Sequence, residues 1–236
     1  MKLGILKTDT VRPEWVGEYG EYPDMFIELL GTRDPTLEFV VYDVMIGEYP
    51  TDLDEVDAYL MTGSKFSVYE QEAWIIELQA FVARLVDAGK KLVGICFGHQ
   101  MVARALGGVA EKAAAGWGVG LHQHVFHERP AWMDDGPAEF SVVVSHQDQV
   151  LEPAPGSRTL AGSEFCPNAV CQLGDQVLTV QGHPEFVPAY SREIMEFRRE
   201  LIGEDNYHNG LRSLAESPET DRMAHWILTF LRSGSD

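Results

Sequence analysis

Cations, cysteines and long apolar runs are what this sequence has least of. Across 236 residues, 18 Lys and Arg stand against 37 Asp and Glu, a formal net charge of −19. Such a field repels phosphate backbones and anionic membrane surfaces, so nucleic-acid and membrane binding are poor fits and a well-solvated acidic surface is the plain reading. The three cysteines, Cys96, Cys166 and Cys171, are odd in number and irregular in spacing. They do not look like a disulfide framework, and a reducing cytoplasm suits them better. No segment approaches the roughly 18 apolar residues of a membrane span, and the apolar run at residues 1–7 is too short for a signal peptide. Nor is there a Gly-x-x-x-x-Gly-Lys-[Ser/Thr] phosphate loop, an internal repeat or a low-complexity tract.

What is present is ordinary for a globular chain, with 45% hydrophobic and 23% charged residues. The length suits one large α/β domain, residues 1–236, and is too short for two comfortable ones. Residues 3–6, 37–44 and 58–62 read as buried strands. Between the first two come a polar, aromatic loop over residues 8–22 and a short helix opened by Pro23 and stopped by Gly31. Trp74, Ile75, Leu78, Phe81, Val82, Leu85 and Val86 recur at helical spacing within residues 72–88. This β-α-β alternation predicts a parallel sheet covered on both faces. After Gly108 the pattern turns to strands, at residues 119–126, 140–145, 159–161, 169–173 and 176–180, the last two forming a hairpin around Gly174-Asp175. Helices return at residues 190–201 and 220–231, and residues 233–236 form a polar tail.

The chain is organised around Lys91-Leu92-Val93-Gly94-Ile95-Cys96-Phe97-Gly98-His99-Gln100. Leu92, Val93 and Ile95 make a short buried strand. Met101, Val102, Ala103, Ala105 and Leu106 continue as a helix ended by Gly107-Gly108. Cys96 therefore falls at a strand-to-helix corner with Gly94 and Gly98 two residues to either side, the layout of a nucleophile elbow. The positive end of the following helix favours a thiolate there. A lone cysteine more often serves as a small buried hydrophobe, so the pattern takes its weight from a second segment, Val177-Leu178-Thr179-Val180-Gln181-Gly182-His183-Pro184-Glu185-Phe186. There an apolar strand runs into a histidine and a carboxylate. Residues i and i+2 of extended chain point the same way, so Glu185 orients the imidazole of His183 provided the strand geometry persists through Pro184. Two buried strands ending in Cys and in His-x-Glu fit a Cys-His-Glu triad.

Gly94-Ile95-Cys96-Phe97-Gly98-His99-Gln100 followed by Gly182-His183-Pro184-Glu185 resembles the class I glutamine amidotransferase family, over roughly residues 57–186. Ser145-His146-Gln147-Asp148-Gln149-Val150 is similar to the segment lining the glutamine pocket in the branch related to GMP synthetase. Leu60-Met61-Thr62-Gly63-Ser64 lies where the family carries a strand ending in an oxyanion loop. The resemblance implies a flavodoxin-like α/β fold, with a mostly parallel central sheet flanked by helices and added antiparallel strands in the second half. It implies Cys96 as nucleophile, His183 as base and Glu185 as its support. The oxyanion donors would be the N–H of Phe97 and that of Gly63 or Ser64, with Gln100, Ser145 and His146 against the substrate. No metal and no organic cofactor is implied. The implied reaction is hydrolysis of the γ-carboxamide of L-glutamine through a γ-glutamyl thioester, with ammonia released to water or to a separate synthase.

One departure from the family pattern matters. Ammonia-supplying domains of synthetases usually carry two glycines and then proline at the oxyanion loop, whereas Gly63 is followed here by Ser64-Lys65, more like free-standing γ-glutamyl peptidases. The alternative is therefore a γ-glutamyl peptidase or hydrolase acting on other γ-glutamyl amides. A non-catalytic binding protein is disfavoured because Cys96, His183 and Glu185 are all present. Gly63 itself answers either a need for positive φ or a need for close approach.

Other constellations read more plainly. His122 and His124 share a strand face with His127 close by, but no further ligands are identifiable, so a solvated face is expected rather than a metal site. Cys166 and Cys171 lack a complementary pair; Cys171 is expected to pack in a strand, and by the resemblance Cys166 or its neighbours line the pocket. His146 and Asp148 stand as an alternative base and acid, against a turn that supplies backbone hydrogen bonds to the substrate. The loop at residues 8–22 is expected to overhang the Cys96 pocket, with Trp15 and Tyr19 either lining it or pinning the loop to the domain.

Overall fold

Four short strands with almost no polar side chains set the centre of the molecule. A strand buried on both faces can only lie inside a sheet covered on two sides, and the strands that end at residues 61 and 180 are buried at every position. The computed structural model describes residues 1–133 and 136–234; Ser235 and Asp236 of the expected polar tail lie outside the described residues. The elements run β1 (Lys2–Lys7), α1 (Pro13–Tyr19), α2 (Tyr22–Arg33), β2 (Glu38–Asp43), β3 (Ala58–Met61), α3 (Ala73–Asp87), β4 (Lys91–Ile95), α4 (Phe97–Ala105), β5 (Val109–Lys112), β6 (Gly118–Phe126) and β7 (Glu139–His146). They continue through β8 (Asp148–Glu152), β9 (Ser157–Gly162), β10 (Val170–Leu173), β11 (Val177–Val180), α5 (Pro188–Phe197), α6 (Arg199–Ile202), α7 (Glu204–Ser213) and α8 (Thr220–Arg232).

Among the described residues the main sheet has the order β2-β1-β3-β4-β11-β10-β9-β6-β7, with β5 and β8 forming a separate antiparallel pair. The first five strands are mutually parallel, and from β11 outward each neighbour is antiparallel. The architecture is thus the expected mixed α/β sheet flanked by helices, parallel in its first half and antiparallel in its second. Phe26 and Leu30 of α2 and Trp226 and Ile227 of α8 cover one face over Leu3, Ile5 and Val93. Leu78 and Phe81 of α3 and Val102 of α4 cover the other over Leu6, Tyr59 and Leu92. A third apolar cluster, with Phe186, Tyr190, Met195 and Tyr207, gathers α5 and α7 around Val119 and Val143.

Several local expectations need correction. Residues 8–22 are not one loop: Pro13 stands in the first turn of α1, pre-set for helical φ, and the polar residues around it hide the helix. α2 runs through Gly31 to Arg33, since Gly31 takes no positive φ there and does not act as a stop. β5 and β8 are short, partly polar and without clean alternation, and α7 buries only Tyr207 and Gly210, so periodicity does not announce them. The helix expected over residues 190–201 breaks at Arg198 into α5 and α6.

The histidine face of β6 is not solvated. β6 lies inside the sheet between β9 and β7, and His124 is 1% exposed, its ring 5.5 Å from that of Phe140. His122 is half-buried against Phe165, and His127 is exposed. Neither ring nitrogen of His124 has a hydrogen-bond partner among the described residues. Burial holds the pKa of His124 down to about 4, and those of His99 and His146 down to about 3. An unfolded chain therefore binds more protons below pH 6.5, and stability falls with pH by roughly 1.4 kcal/mol per group per unit down toward the folded values. Replacing His124 with Leu removes two unpartnered nitrogens and one such group. Thermal melts at pH 7 and pH 5 should show a Tm for His124→Leu at least equal to wild type at pH 7 and a smaller drop on acidification; an unchanged drop would contradict the neutral, buried state.

Candidate active site

Because β1, β3, β4 and β11 are parallel, their carboxyl ends share one edge of the sheet, where ligands of open α/β folds bind. The register pairs Val180 of β11 with Ile95 of β4 and Met61 of β3 with Gly94. Cys96 is the next residue, its N–H donating to the Val180 carbonyl at 2.8 Å. There the chain turns into α4 with φ 50° and ψ −98°, the only positive φ outside glycine among the described residues. Such a conformation costs about 1–3 kcal/mol and persists only when its surroundings impose it. Gly94 and Gly98 are part of that imposition. A Cβ on Gly94 would lie 2.6 Å from the Gly98 carbonyl oxygen, and one on Gly98 2.8 Å from that of Met61.

His183 follows β11 and is tied across to β7, its N–H donating to the Val143 carbonyl at 2.7 Å. Its ring lies flat on Phe186, centroids 4.0 Å apart at 8°. The extended geometry expected through Pro184 does not persist. Residues 184 and 185 form a turn closed by Phe186 N–H to the His183 carbonyl at 3.4 Å, and this turn brings Glu185 back to the ring. Nδ1 of His183 donates to Oε1 of Glu185 at 2.7 Å, with both side chains almost fully buried. Burial opposes charge on this imidazole, but the Glu185 carboxylate and the Cys96 sulfur together outweigh it and raise the pKa. With Nδ1 engaged, Nε2 is the nitrogen left for Cys96.

Gly63 is explained by close approach and not by φ. A Cβ there would stand 2.7 Å from Cε1 of His183 and 3.5 Å from Cβ of Cys96, so the two side chains flank one point of the loop. The loop is braced from the end of β1. Thr8 Oγ1 donates to the Gly63 carbonyl at 2.9 Å, and the buried Asp9 accepts from the Lys65 N–H at 2.8 Å and from its Nζ at 2.9 Å. Phe97 opens α4, where backbone N–H groups have no intrahelical acceptor.

A cleft of about 410 Å³ opens over this corner, and Ser64, Cys96, Gln100, Ser145 and His146 line it. Gly63, Phe97, His183 and Glu185 are not among the described residues that line it, and Glu185 borders a separate concavity. Gln100 Nε2 donates to the Asp148 carbonyl at 2.8 Å and to Gln181 Oε1 at 3.2 Å. His146 Nδ1 donates to the same carbonyl at 3.2 Å, and Nε2 has no partner among the described residues. The Asp148 carboxylate instead accepts from Ser67 Oγ at 2.5 Å and Tyr69 OH at 3.3 Å. His146 and Asp148 therefore do not form the alternative base and acid pair. Ser145 Oγ accepts from Arg198 Nη1 at 3.2 Å.

The remaining expectations divide. Cys171 packs in β10, and burial pushes its thiol up to about 11 and that of Cys166 up to about 12. Neither is among the described residues lining the cleft. Trp15 and Tyr19 do not line it either. Trp15 meets Phe197 and Tyr190 edge-on at 6.0 Å, and Tyr19 packs on Tyr190 at 5.1 Å, so both pin α1 to α5. Tyr19 faces a separate concavity of about 470 Å³ bounded by α1, α2 and the start of α8. Gln181 escaped notice inside an apolar run, yet its Nε2 lies 3.5 Å from Cys96 Sγ. Trp117, Phe197 and Arg198 also line the cleft, from segments that carry no motif.

Comparison with known proteins gives the same answer over most of the chain. The family model described as Glutamine amidotransferase class-I matches residues 27–199. Gamma-glutamyl peptidase 2 of Arabidopsis thaliana is 30% identical over 228 residues, covering 93% of this chain and 91% of its own length. A glutamine-hydrolysing GMP synthase of Pyrobaculum aerophilum is 36% identical over 132 residues, which span 56% of this chain and 25% of that enzyme. The crystal structure of a glutamine amidotransferase from Thermotoga maritima matches in fold with a TM-score of 0.72 at 18% identity, covering 98% of this chain and 95% of its own. Among the described residues no helix is long and apolar enough to cross a membrane. Since the matched span takes in the Gly63 loop, the Cys96 corner and the His183 turn together, the chain belongs to the class I glutamine amidotransferase family.

Proposed function

We propose that this protein is a cysteine amidohydrolase that transfers the γ-glutamyl group of L-glutamine to Cys96 and then to water. The observation that carries this reading is Gly63, whose missing side chain leaves the space in which Cys96 and His183 meet. An imidazolium beside the sulfur, together with the amino end of α4, stabilises negative charge on Cys96. Its sulfur attacks the γ-carbonyl carbon, and the oxyanion takes hydrogen bonds from the N–H of Phe97 and of Gly63 or Ser64, each worth about 3–4 kcal/mol. His183 gives its proton to the departing nitrogen, the C–N bond breaks and ammonia leaves. The now neutral imidazole accepts a proton from water, whose oxygen opens the thioester to glutamate and frees Cys96. Glu185 holds the ring in its tautomer and does not react. Gln100, Ser145 and His146 are the candidates for contact with the substrate. Kinship with a glutamine-hydrolysing GMP synthase supports a separate ammonia-accepting synthase as partner, and three free cysteines favour the cytoplasm.

A second reading, cleavage of γ-glutamyl amides other than glutamine, uses the same thioester. It is supported by the near full-length match to a gamma-glutamyl peptidase and by the open cleft above Cys96. Steady-state ammonia release from glutamine, set beside cleavage of a γ-glutamyl dipeptide, separates the two.

An electrophilic glutamine analogue should alkylate Cys96 and neither Cys166 nor Cys171, whose thiols are buried and shifted upward. Peptide mass spectrometry reads this directly, and an adduct on Cys171 with Cys96 unmodified would remove Cys96 from its role. Glu185→Gln should lower kcat/KM by about 10²-fold or more while the protein stays folded. The pair also has a stability signature. A histidine with a raised pKa contributes stability that is fully present below the unfolded value near 6.5 and is lost as pH rises through about 10. Wild type should therefore lose Tm between pH 6.5 and pH 10 more steeply than Glu185→Gln; parallel curves would show that the carboxylate does not hold a charged imidazole.

A further inference from the structure

We infer that the mouth of the Cys96 cleft is a subsite for a leaving amine that carries its own carboxylate, and that Arg198 anchors that carboxylate. The inference rests on the γ-glutamyl chemistry proposed above and names the class of amide that suits the site: a γ-glutamyl dipeptide with a free carboxylate and an apolar second side chain.

The first argument is charge. In a chain of net charge −19, the cleft lining holds three cations, Lys65, Lys112 and Arg198, against one carboxylate, Asp148. Lys65 is neutralised by Asp9 at 2.9 Å. Lys112 and Arg198 have no carboxylate partner among the described residues. Two free cations and one carboxylate are one cation more than a glutamine zwitterion requires. They match a γ-glutamyl amino acid, which has one ammonium and two carboxylates.

The second argument is geometry. Gln100, Ser67 and Tyr69 are joined through Asp148 along one part of the cleft lining, Gln100 to its carbonyl and the two hydroxyls to its carboxylate. Phe197, Arg198 and Leu201 form another, where Phe197 and Leu201 are 58% and 65% exposed. Arg198 stands at the break between α5 and α6, its backbone N–H bonded to the Ile194 carbonyl at 3.0 Å. Its guanidinium is held by Ser145 Oγ at 3.2 Å and lies 5.7 Å from the centre of the Trp117 ring. One of five N–H donors is thereby used, and the planar fork remains available to a carboxylate. The Phe197 ring beside it is steadied by the Arg12 guanidinium at 3.9 Å and by Trp15, so an apolar side chain on the leaving amino acid would meet a prepared surface. In the reaction the C–S bond forms first, the γ-C–N bond breaks as the tetrahedral oxyanion collapses, His183 supplies the proton, and the second amino acid leaves with a free amine.

The test compares kcat/KM for γ-glutamyl-phenylalanine, for its C-terminal amide and for glutamine, in wild type, Arg198→Met and Arg198→Lys, with melting curves for each variant. Wild type should prefer the free acid over its amide by about tenfold or more, in line with a charge-assisted hydrogen bond. Arg198→Met should bring that ratio to about one, mainly through KM, and Arg198→Lys should retain part of it. A wild-type ratio near one overturns the inference, and so does an equal loss on all three substrates in Arg198→Met, which would assign Arg198 to the glutamyl end or to the scaffold. Turnover of glutamine without turnover of either dipeptide overturns the subsite alone. Absence of turnover on all three, with no acyl group found on Cys96, overturns the proposed function with it.

Discussion

The parallel pairing of β4 with β11 is the constraint on which the site depends. These strands are neighbours in the sheet, and they bring Cys96 and Gln181, 85 residues apart in sequence, to within 3.5 Å. One residue of slip in this register would turn every side chain of a strand to the opposite face. Both strands are buried on both sides, so the slip would also have to break the packing of α3 and α4 against one face and α8 against the other. The precision of the corner is thus inherited from the hydrophobic core.

That core also supports a strained backbone. Cys96 keeps a conformation costly for any residue with a Cβ, because Gly94, Gly98 and the Met61 carbonyl leave the chain no wider path from β4 into α4. The same closeness accounts for the bare loop at Gly63. It is braced by Thr8 and Asp9 from just past β1, so four strand ends contribute to one small volume. Buried charge is handled in the same economical way. The His183 imidazole and the Glu185 carboxylate each lie out of water, and each is tolerable there only because of the other.

The charge pattern acts at a longer range. An acidic surface repels anions, yet the cleft turns Arg198 and Lys112 toward the space above Cys96. The family match takes in both the corner at Cys96 and the α5 wall that carries Arg198.

Much of this was legible in the residues alone. Apolar runs with glycine punctuation identified β1, β3, β4 and β11 and the corner at Cys96, since local sterics and burial decide such features. The hairpin at Gly174 was legible for the same reason. The His-Pro-Glu segment announced a histidine–carboxylate pair, but by the wrong route, because whether Pro184 continues a strand or opens a turn depends on the Val143 carbonyl waiting across the sheet. Periodicity could not reveal α1, α7 or the β5–β8 pair, which owe their place to neighbours and not to their own patterns. Nor could it show that the His124 face is covered, that Trp15 and Tyr19 turn away from the cleft, or that Gly63 is needed for a ring and not for φ. Sequence by itself singled out Cys96, His183 and Glu185 as candidates; only the tertiary structure decided what surrounds them, because burial and close approach are set by segments brought together from far along the chain.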